Sequence, residues 1–227
     1  MTGAWLCIET TRDVLGVAVL SPDGGLLAEL EQAAPRLHSA LLVPSIAEAL
    51  RLAGLTTAAL GQIAVDRGPG SYTGIRIGLA AAEAMGLALT IPVLGVPGLW
   101  ASAAERSLPG LYAPAVDARR EDAFCALYEV VGPGLPEERV APAMRPLAEF
   151  LPLCEEFGRP FELLGEQRWL ERPVVRASPL ARIGGEAAGP ARLGRFAIRA
   201  RKEAGDALST TALYLRPPAV AAGRADG

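Results

Sequence analysis

The stretch from Asp66 to Gly78, Asp-Arg-Gly-Pro-Gly-Ser-Tyr-Thr-Gly-Ile-Arg-Ile-Gly, constrains the fold of this chain more than any other. Ahead of it, Gln62-Ile63-Ala64-Val65 is short and half β-branched, the composition of a strand. Behind it, Ile75 to Leu89 contains no proline and only two glycines, so a helix is expected from Ile75 to about Thr90. The result is a strand, a glycine-rich loop and a helix start. Gly68, Gly70 and Gly74 let a ligand or a neighbouring backbone come close. Ser71 or Thr73 is placed to cap the helix. A helix start behind such a loop suits an anion. The residues leave two readings open, a phosphate cradle or a tightly packed turn.

Composition narrows the class. With 227 residues, 51% of them hydrophobic, the chain can bury a substantial core in one large or two small domains. Its most apolar windows, 39–50 and 77–99, are interrupted by Pro44, Glu48, Glu83 and Pro92, so no run reaches the roughly 18 residues of a membrane span. No basic region precedes an apolar one at the N-terminus, and a cytoplasmic location is expected. Net charge is −3, and the only basic concentration is Arg192 to Lys202, with five cationic residues. That weighs against a chain whose main task is to bind nucleic acid. Arg192 to Lys202 reads as a solvated basic segment. Cys7, Cys125 and Cys154 are widely spaced, and His38 is the single histidine, so a Cys/His zinc site lacks ligands.

Taken in order, residues 4–9 read as a buried strand, Val14 to Leu20 as a second strand antiparallel to it, and Leu26 to Ala33 as a third beyond the Ser21–Gly25 turn. Pro35 to Ala53 reads as a helix with Pro44 in its interior, and His38 at its start as a capping or packing residue. The helix after the glycine loop is apolar nearly all round, Glu83 being the main exception. A helix of that kind is buried on all sides or lies in an interface, and in so small a domain an oligomeric or partner interface is the expectation. A strand follows at 92–96 and a helix at 98–107 with Pro97 at its first position, then a lobe boundary near 105–110. The second half opens with a hairpin, Leu111–Val116 and Ala123–Val131, whose tip carries Asp117, Arg119, Arg120, Glu121 and Asp122. Prolines beyond Gly132 signal loops. Short helices are expected near 147–157, 179–188 and 209–214, short strands at 161–164 and 173–176, and a disordered tail from 217 to 227.

Four stretches in this order resemble one family: Ile8-Glu9-Thr10-Thr11, His38-Ser39-x-x-Leu42, Gly68-Pro69-Gly70-Ser71-Tyr72-Thr73-Gly74-Ile75-Arg76-Ile77-Gly78, and Asp117-Ala118-Arg119-Arg120; Tyr214-Leu215-Arg216 fits as well. Together they resemble TsaB, also called YeaZ, the bacterial non-catalytic subunit of the machinery that makes N6-threonylcarbamoyladenosine at position 37 of tRNAs. The resemblance spans most of residues 4–216 and is strongest in the first hundred. It implies a two-lobed α/β fold of the actin-like, Hsp70 and sugar-kinase superfamily, with a ribonuclease-H-like motif in each lobe. The lobes would be 1–106 and 107–216. The implied partners are TsaD, which carries the metal and the transferase site, and the ATPase TsaE; tRNA is met through the complex, and a second copy of the chain takes TsaD's place when it is alone. The expected contact residues are Leu41, Leu42, Ile46, Leu79, Ala82 and Met85. Gly68, Gly70, Ser71, Thr73 and Gly74 become a nucleotide or phosphate loop by descent, and Glu9, Thr10, Asp117 and Arg119 the polar lining of the cleft. No cofactor is required by the chain itself; ATP or ADP with magnesium is expected at the seam of the complex.

Two departures bear on chemistry. The family usually has Asp-Thr-Ser or Asp-Thr-Thr after the first strand, and Glu9 stands in the Asp place. The His-x-x-x-His pair by which TsaD holds its metal is absent, because Leu42 stands four residues after His38. Both point away from catalysis of the transfer. The alternative is an independent ATP-dependent kinase or ATPase of the same superfamily, with Glu9, Asp66 or Asp117 as its acidic groups; Gly68-Pro69-Gly70-Ser71 is not a Walker sequence, however, and no lysine lies near it. A metallopeptidase lacks its His-Glu-x-x-His.

Overall fold

The computed structural model describes residues 3–106, 108–132, 134–185, 189–204 and 209–215. The expected tail, 217–227, lies outside them, as does Arg216. Two five-stranded sheets form the frame. The first contains β1 (Ala4–Glu9), β2 (Val14–Leu20), β3 (Leu26–Ala33), β4 (Leu60–Asp66) and β5 (Val93–Val96), in the order β3-β2-β1-β4-β5. The second contains β6 (Gly110–Asp117), β7 (Asp122–Val130), β8 (Glu137–Pro146), β9 (Phe161–Leu164) and β10 (Ala181–Gly185), in the order β10-β9-β6-β7-β8. Each sheet is an antiparallel meander whose first strand also pairs parallel with its fourth, and the fourth with its fifth. The topology is therefore duplicated, and the expected ribonuclease-H-like motif is present twice.

β1 is buried along its whole length because it lies mid-sheet with helices on both faces. The period of two divides it. Leu6 and Ile8 join a core with α1 (His38–Leu52) and α2 (Tyr72–Leu89), while Trp5 and Cys7 face α7 (Pro190–Ala204). In the second sheet Leu111, Ala113 and Ala115 of β6 pack on α4 (Leu147–Glu155), and Tyr112 and Val116 on α3 (Gly98–Ala104). Two short helices, α5 (Gln167–Leu170) and α6 (Pro173–Ala177), complete that side.

The last helix of each half crosses over. α3 packs on β6 and β7, and α7 packs on β1 and β2; they meet through Trp100 and Phe196, ring centroids 5.2 Å apart. This corrects the reading of Arg192 to Lys202 as a solvated basic segment. Leu193, Phe196, Ala197 and Ala200 form a buried stripe at helical spacing, and Gly194 lets the helix lie against β1, since a Cβ there would stand 2.2 Å from Cys7 Sγ. The arginines lie half-buried around the stripe and are tied to the chain: Arg195 pairs with Glu105, Arg199 donates to Ala104 O, and Arg201 donates to Gln62.

Other expectations change as well. The prolines of 137–146 sit in β8, at a sheet edge where a missing N–H is tolerated. Residues 173–176, expected as a strand, form α6 with Pro173 at its first turn. Residues 181–185, expected as helix, pair with β9 as β10. Residues 209–214 form no helix and run as an irregular strap. Pro97 is the N-cap of α3, one position before the place expected. All three cysteines are buried free thiols, and burial pushes Cys125 up to about 12. No helix among the described residues is long and apolar enough to cross a membrane.

Candidate functional site

Two features stand out: the joint between the β1–β2 turn and the glycine loop, and the outer face of α1 and α2. At the joint, β1 and β4 run parallel side by side, so Glu9 and Asp66 reach the same edge of the sheet. The turn Thr10–Asp13 then folds onto the loop. Ser71 N donates to Thr11 O at 2.7 Å, and Thr10 Oγ1 donates to Gly74 O at 2.8 Å. Ser71 is the N-cap of α2, its Oγ accepting from Gly74 N at 3.2 Å, which settles the choice between Ser71 and Thr73.

A phosphate cradle needs open loop backbone and free N–H donors. At this loop much of the backbone is covered by the chain itself, and several of its N–H donors are taken. A Cβ at Gly70 would lie 2.4 Å from Thr11 O, at Gly74 2.0 Å from Thr10 O, and at Gly78 2.4 Å from Thr10 Oγ1. Gly68, in the left-handed region at φ 106°, faces Leu213 O. The Gly68 N–H is bound to Asp66 Oδ1, that of Ser71 to Thr11 O and that of Gly74 to Ser71 Oγ. The glycines at 70, 74 and 78 make room for the chain's own Thr10 and Thr11, which occupy the space beside them.

The carboxylates are equally engaged. Glu9 Oε1 accepts from Thr11 N at 3.0 Å and Thr11 Oγ1 at 2.9 Å; Oε2 accepts from Arg12 Nε at 3.0 Å and Nη2 at 2.6 Å. Burial alone would pull the Arg12 guanidinium down, but its pairing with Glu9 and the nearby Glu31 and Asp66 leaves it raised. Arg12 thus neutralises Glu9, a role that the Glu-x-x-Arg spacing could have signalled. Burial, and then the Glu9 charge, push Asp66 from 3.8 up to about 7, against the opposing effects of the Gly68 N–H, Thr11 and Arg12. Asp117 and Arg119 lie apart from this cluster at the tip of the β6–β7 hairpin. Asp117 Oδ1 accepts from Arg119 N at 2.7 Å, and Arg119 Nη2 reaches across to Asp13 Oδ1 at 2.7 Å. The hairpin tip therefore meets the β1–β2 turn, not the glycine loop. No group of three or more His, Cys, Asp or Glu among the described residues is placed to hold a metal ion.

The strap Ser209–Leu215 was not legible as part of the site. Leu213 N donates to Arg67 O at 2.8 Å, and Tyr214 stacks on Tyr72 at 4.8 Å and accepts from Arg76 Nε at 3.3 Å. It holds the outer side of the loop where α2 begins.

Four of the six expected contact residues are buried beneath the outer helix face. Leu42, Ile46, Leu79 and Ala82 lie in the core under the helices, with Leu41 and Met85 packed half-buried at its margin. α2 is not buried all round: its inner face packs on β4, and its outer face is open. Exposed apolar side chains there include Ala40, Val43, Pro44, Ala47 and Leu52 on α1 and Ala80, Ala84, Leu87 and Ala88 on α2, with Arg51 and Glu83 exposed among them. Val43 is 67% and Leu87 85% exposed.

The duplicated sheets with exchanged helices define a two-lobed protein of the actin-like class. A family model described as TsaD, tRNA N6-adenosine threonylcarbamoyltransferase, matches residues 17–160. The tRNA threonylcarbamoyladenosine biosynthesis protein TsaB of Bacillus subtilis is 34% identical over 171 residues, covering 75% of this chain and 74% of that protein. TsaB of Escherichia coli is 32% identical over 132 residues, covering 55% of this chain and 54% of its own length. The solved structure of YeaZ from Pseudomonas aeruginosa has the same fold, with a TM-score of 0.72 over 94% of this chain and 100% of that one, at 24% identity. The chain belongs to the TsaB (YeaZ) family.

Proposed function

We propose that this chain is a non-catalytic subunit in the formation of N6-threonylcarbamoyladenosine at position 37 of tRNAs. Its partner is TsaD, bound through the outer face of α1 and α2, with TsaE joining the pair and tRNA met through the complex. In isolation the same face closes on a second copy. The observation that carries this reading is the apolar surface centred on Val43 and Leu87, on neighbouring helices that pack on one side of the same sheet. Exposed apolar surface of this kind marks protein–protein contact. The engaged carboxylates support a non-catalytic role: Glu9 is neutralised by Arg12, and Asp117 is tied into its own turn. The chain needs no cofactor of its own, and ATP or ADP with magnesium belongs at the seam of the complex.

The test is reconstitution of tRNA modification from purified components with and without this chain, together with size-exclusion of V43E/L87E mixed with TsaD. Loss of modification without the chain, and loss of co-elution in the variant, are the expected results. Modification that proceeds unchanged without the chain would sink the role; co-elution that survives both substitutions would sink the surface. The rival reading, an ATP-dependent enzyme, requires the isolated chain to bind and turn over ATP with magnesium in a calorimeter, and the internally bound donors of the glycine loop speak against it.

A further inference from the structure

Thr11 stands between two carboxyl groups that both claim its one proton. Its Oγ1 lies 2.9 Å from Glu9 Oε1 and 3.0 Å from Asp66 Oδ2. A hydroxyl can donate one hydrogen bond, and an ionised carboxylate can donate none. With both acids ionised, one of the two contacts would set lone pairs against lone pairs. Water does not relieve it, because Glu9, Thr11 and Asp66 are 1%, 3% and 5% exposed. A proton on one of the acids relieves the conflict, and the surroundings decide which.

Glu9 holds Arg12 in direct contact, at 2.6 Å, and that ion pair keeps it charged. Asp66 has no cation in contact among the described residues. Arg12 acts on it from further away, and Arg67, next in the chain, turns its guanidinium to Thr211 O. From α3 the Gly98 backbone comes so close that a Cβ there would stand 2.5 Å from Oδ2. Its other oxygen accepts from the Gly68 N–H at 2.8 Å. Among the described residues the nearest charged group facing it is Glu9, of like charge, and its effect exceeds that of Arg12. The geometry points to a neutral Asp66 that donates its carboxyl proton to Thr11 Oγ1 while Thr11 donates to the ionised Glu9, a chain of hydrogen bonds that clamps the β1–β2 turn to the start of the glycine loop and opens as the pH rises. Loss of the proton would put a second negative charge beside Glu9 and leave the single Thr11 hydroxyl proton to serve both acids.

The shift of Asp66 to about 7 agrees. Its sign sets the pH window. An unfolded aspartate releases its proton near 3.9, whereas the folded one keeps it to about 7. The unfolded state binds fewer protons between those limits, so the contribution of Asp66 to stability declines as pH rises from about 4 to about 7 and is level beyond.

The experiment is carboxyl-carbon NMR of the full chain between acid and alkaline pH, with Asp66 assigned through its own backbone, and thermal unfolding of wild type and Asp66→Asn over the same range. The asparagine keeps the shape and can donate to Thr11 without titrating. Expected are an Asp66 midpoint near 7 and a wild-type melting temperature that declines relative to Asp66→Asn across that window. An Asp66 midpoint below about 6, nearer the free aspartate value, overturns the proposal. Melting temperatures that run parallel in the two proteins overturn it too. If Asp66→Asn does not fold, the wild-type NMR midpoint alone decides.

Discussion

Gly74 shows how a residue without a side chain can be the most demanding position in a turn. It carries no unusual backbone angle; what it supplies is the space in which Thr10 O lies 2.0 Å from where a Cβ would be. Gly74→Ala must push the β1–β2 turn off the helix start. Overpacking of this kind costs about 1–3 kcal/mol, and chemical denaturation of the purified chain would measure it. A loss near zero would mean that the loop has slack, and the phosphate-cradle reading would return. The sequence announces glycines at 68, 70, 74 and 78, but absence of a Cβ serves a ligand and a neighbouring backbone equally well. The choice was made by Thr10 and Thr11, some sixty residues earlier in the chain.

At the scale of elements, α2 begins where Ser71 accepts from Gly74 N, and the strap braces that start through Tyr214 and Tyr72. Ser71→Ala removes the cap and leaves the Gly74 N–H without its acceptor, and a loss of about 1 kcal/mol is expected in the same denaturation experiment. The existence of α2 was plain from its composition. Which face it turns outward was not, because a helix rich in alanine and leucine all round carries little amphipathic signal. α7 illustrates the opposite case. Its stripe of Leu193, Phe196, Ala197 and Ala200 was present in the sequence, but five cations and Gly194 among them masked it. Packing overrides that composition: the half-buried arginines bond neighbouring groups at the margins while the stripe covers β1 and β2.

For the whole molecule, the crossing of α3 and α7 makes the two sheets depend on each other. A fragment ending at residue 106 keeps all of the first sheet but lacks α7, and leaves Trp5, Cys7, Ala18 and Leu20 uncovered. We expect it to show no cooperative thermal transition by circular dichroism; a sharp, reversible one would mean that α7 is dispensable to the first sheet. By contrast, the ion pair Arg119–Asp13, which also bridges the halves, is exposed on both sides and contributes little. The sequence by itself determined the strands, the glycine-rich turn, the helices at its flanks and, through four short motifs, the family and hence the two-lobed fold. These are local or patterned properties, written in residue spacing and turn chemistry. Only the tertiary structure decided that the loop is filled by its own chain, that Val43 and Leu87 rather than Leu42 and Leu79 face outward, that a basic segment closes the first sheet, and that Asp66 lies one hydroxyl away from Glu9. Burial, close approach and charge coupling depend on distances between residues far apart in the chain, and the order of the residues does not state those distances.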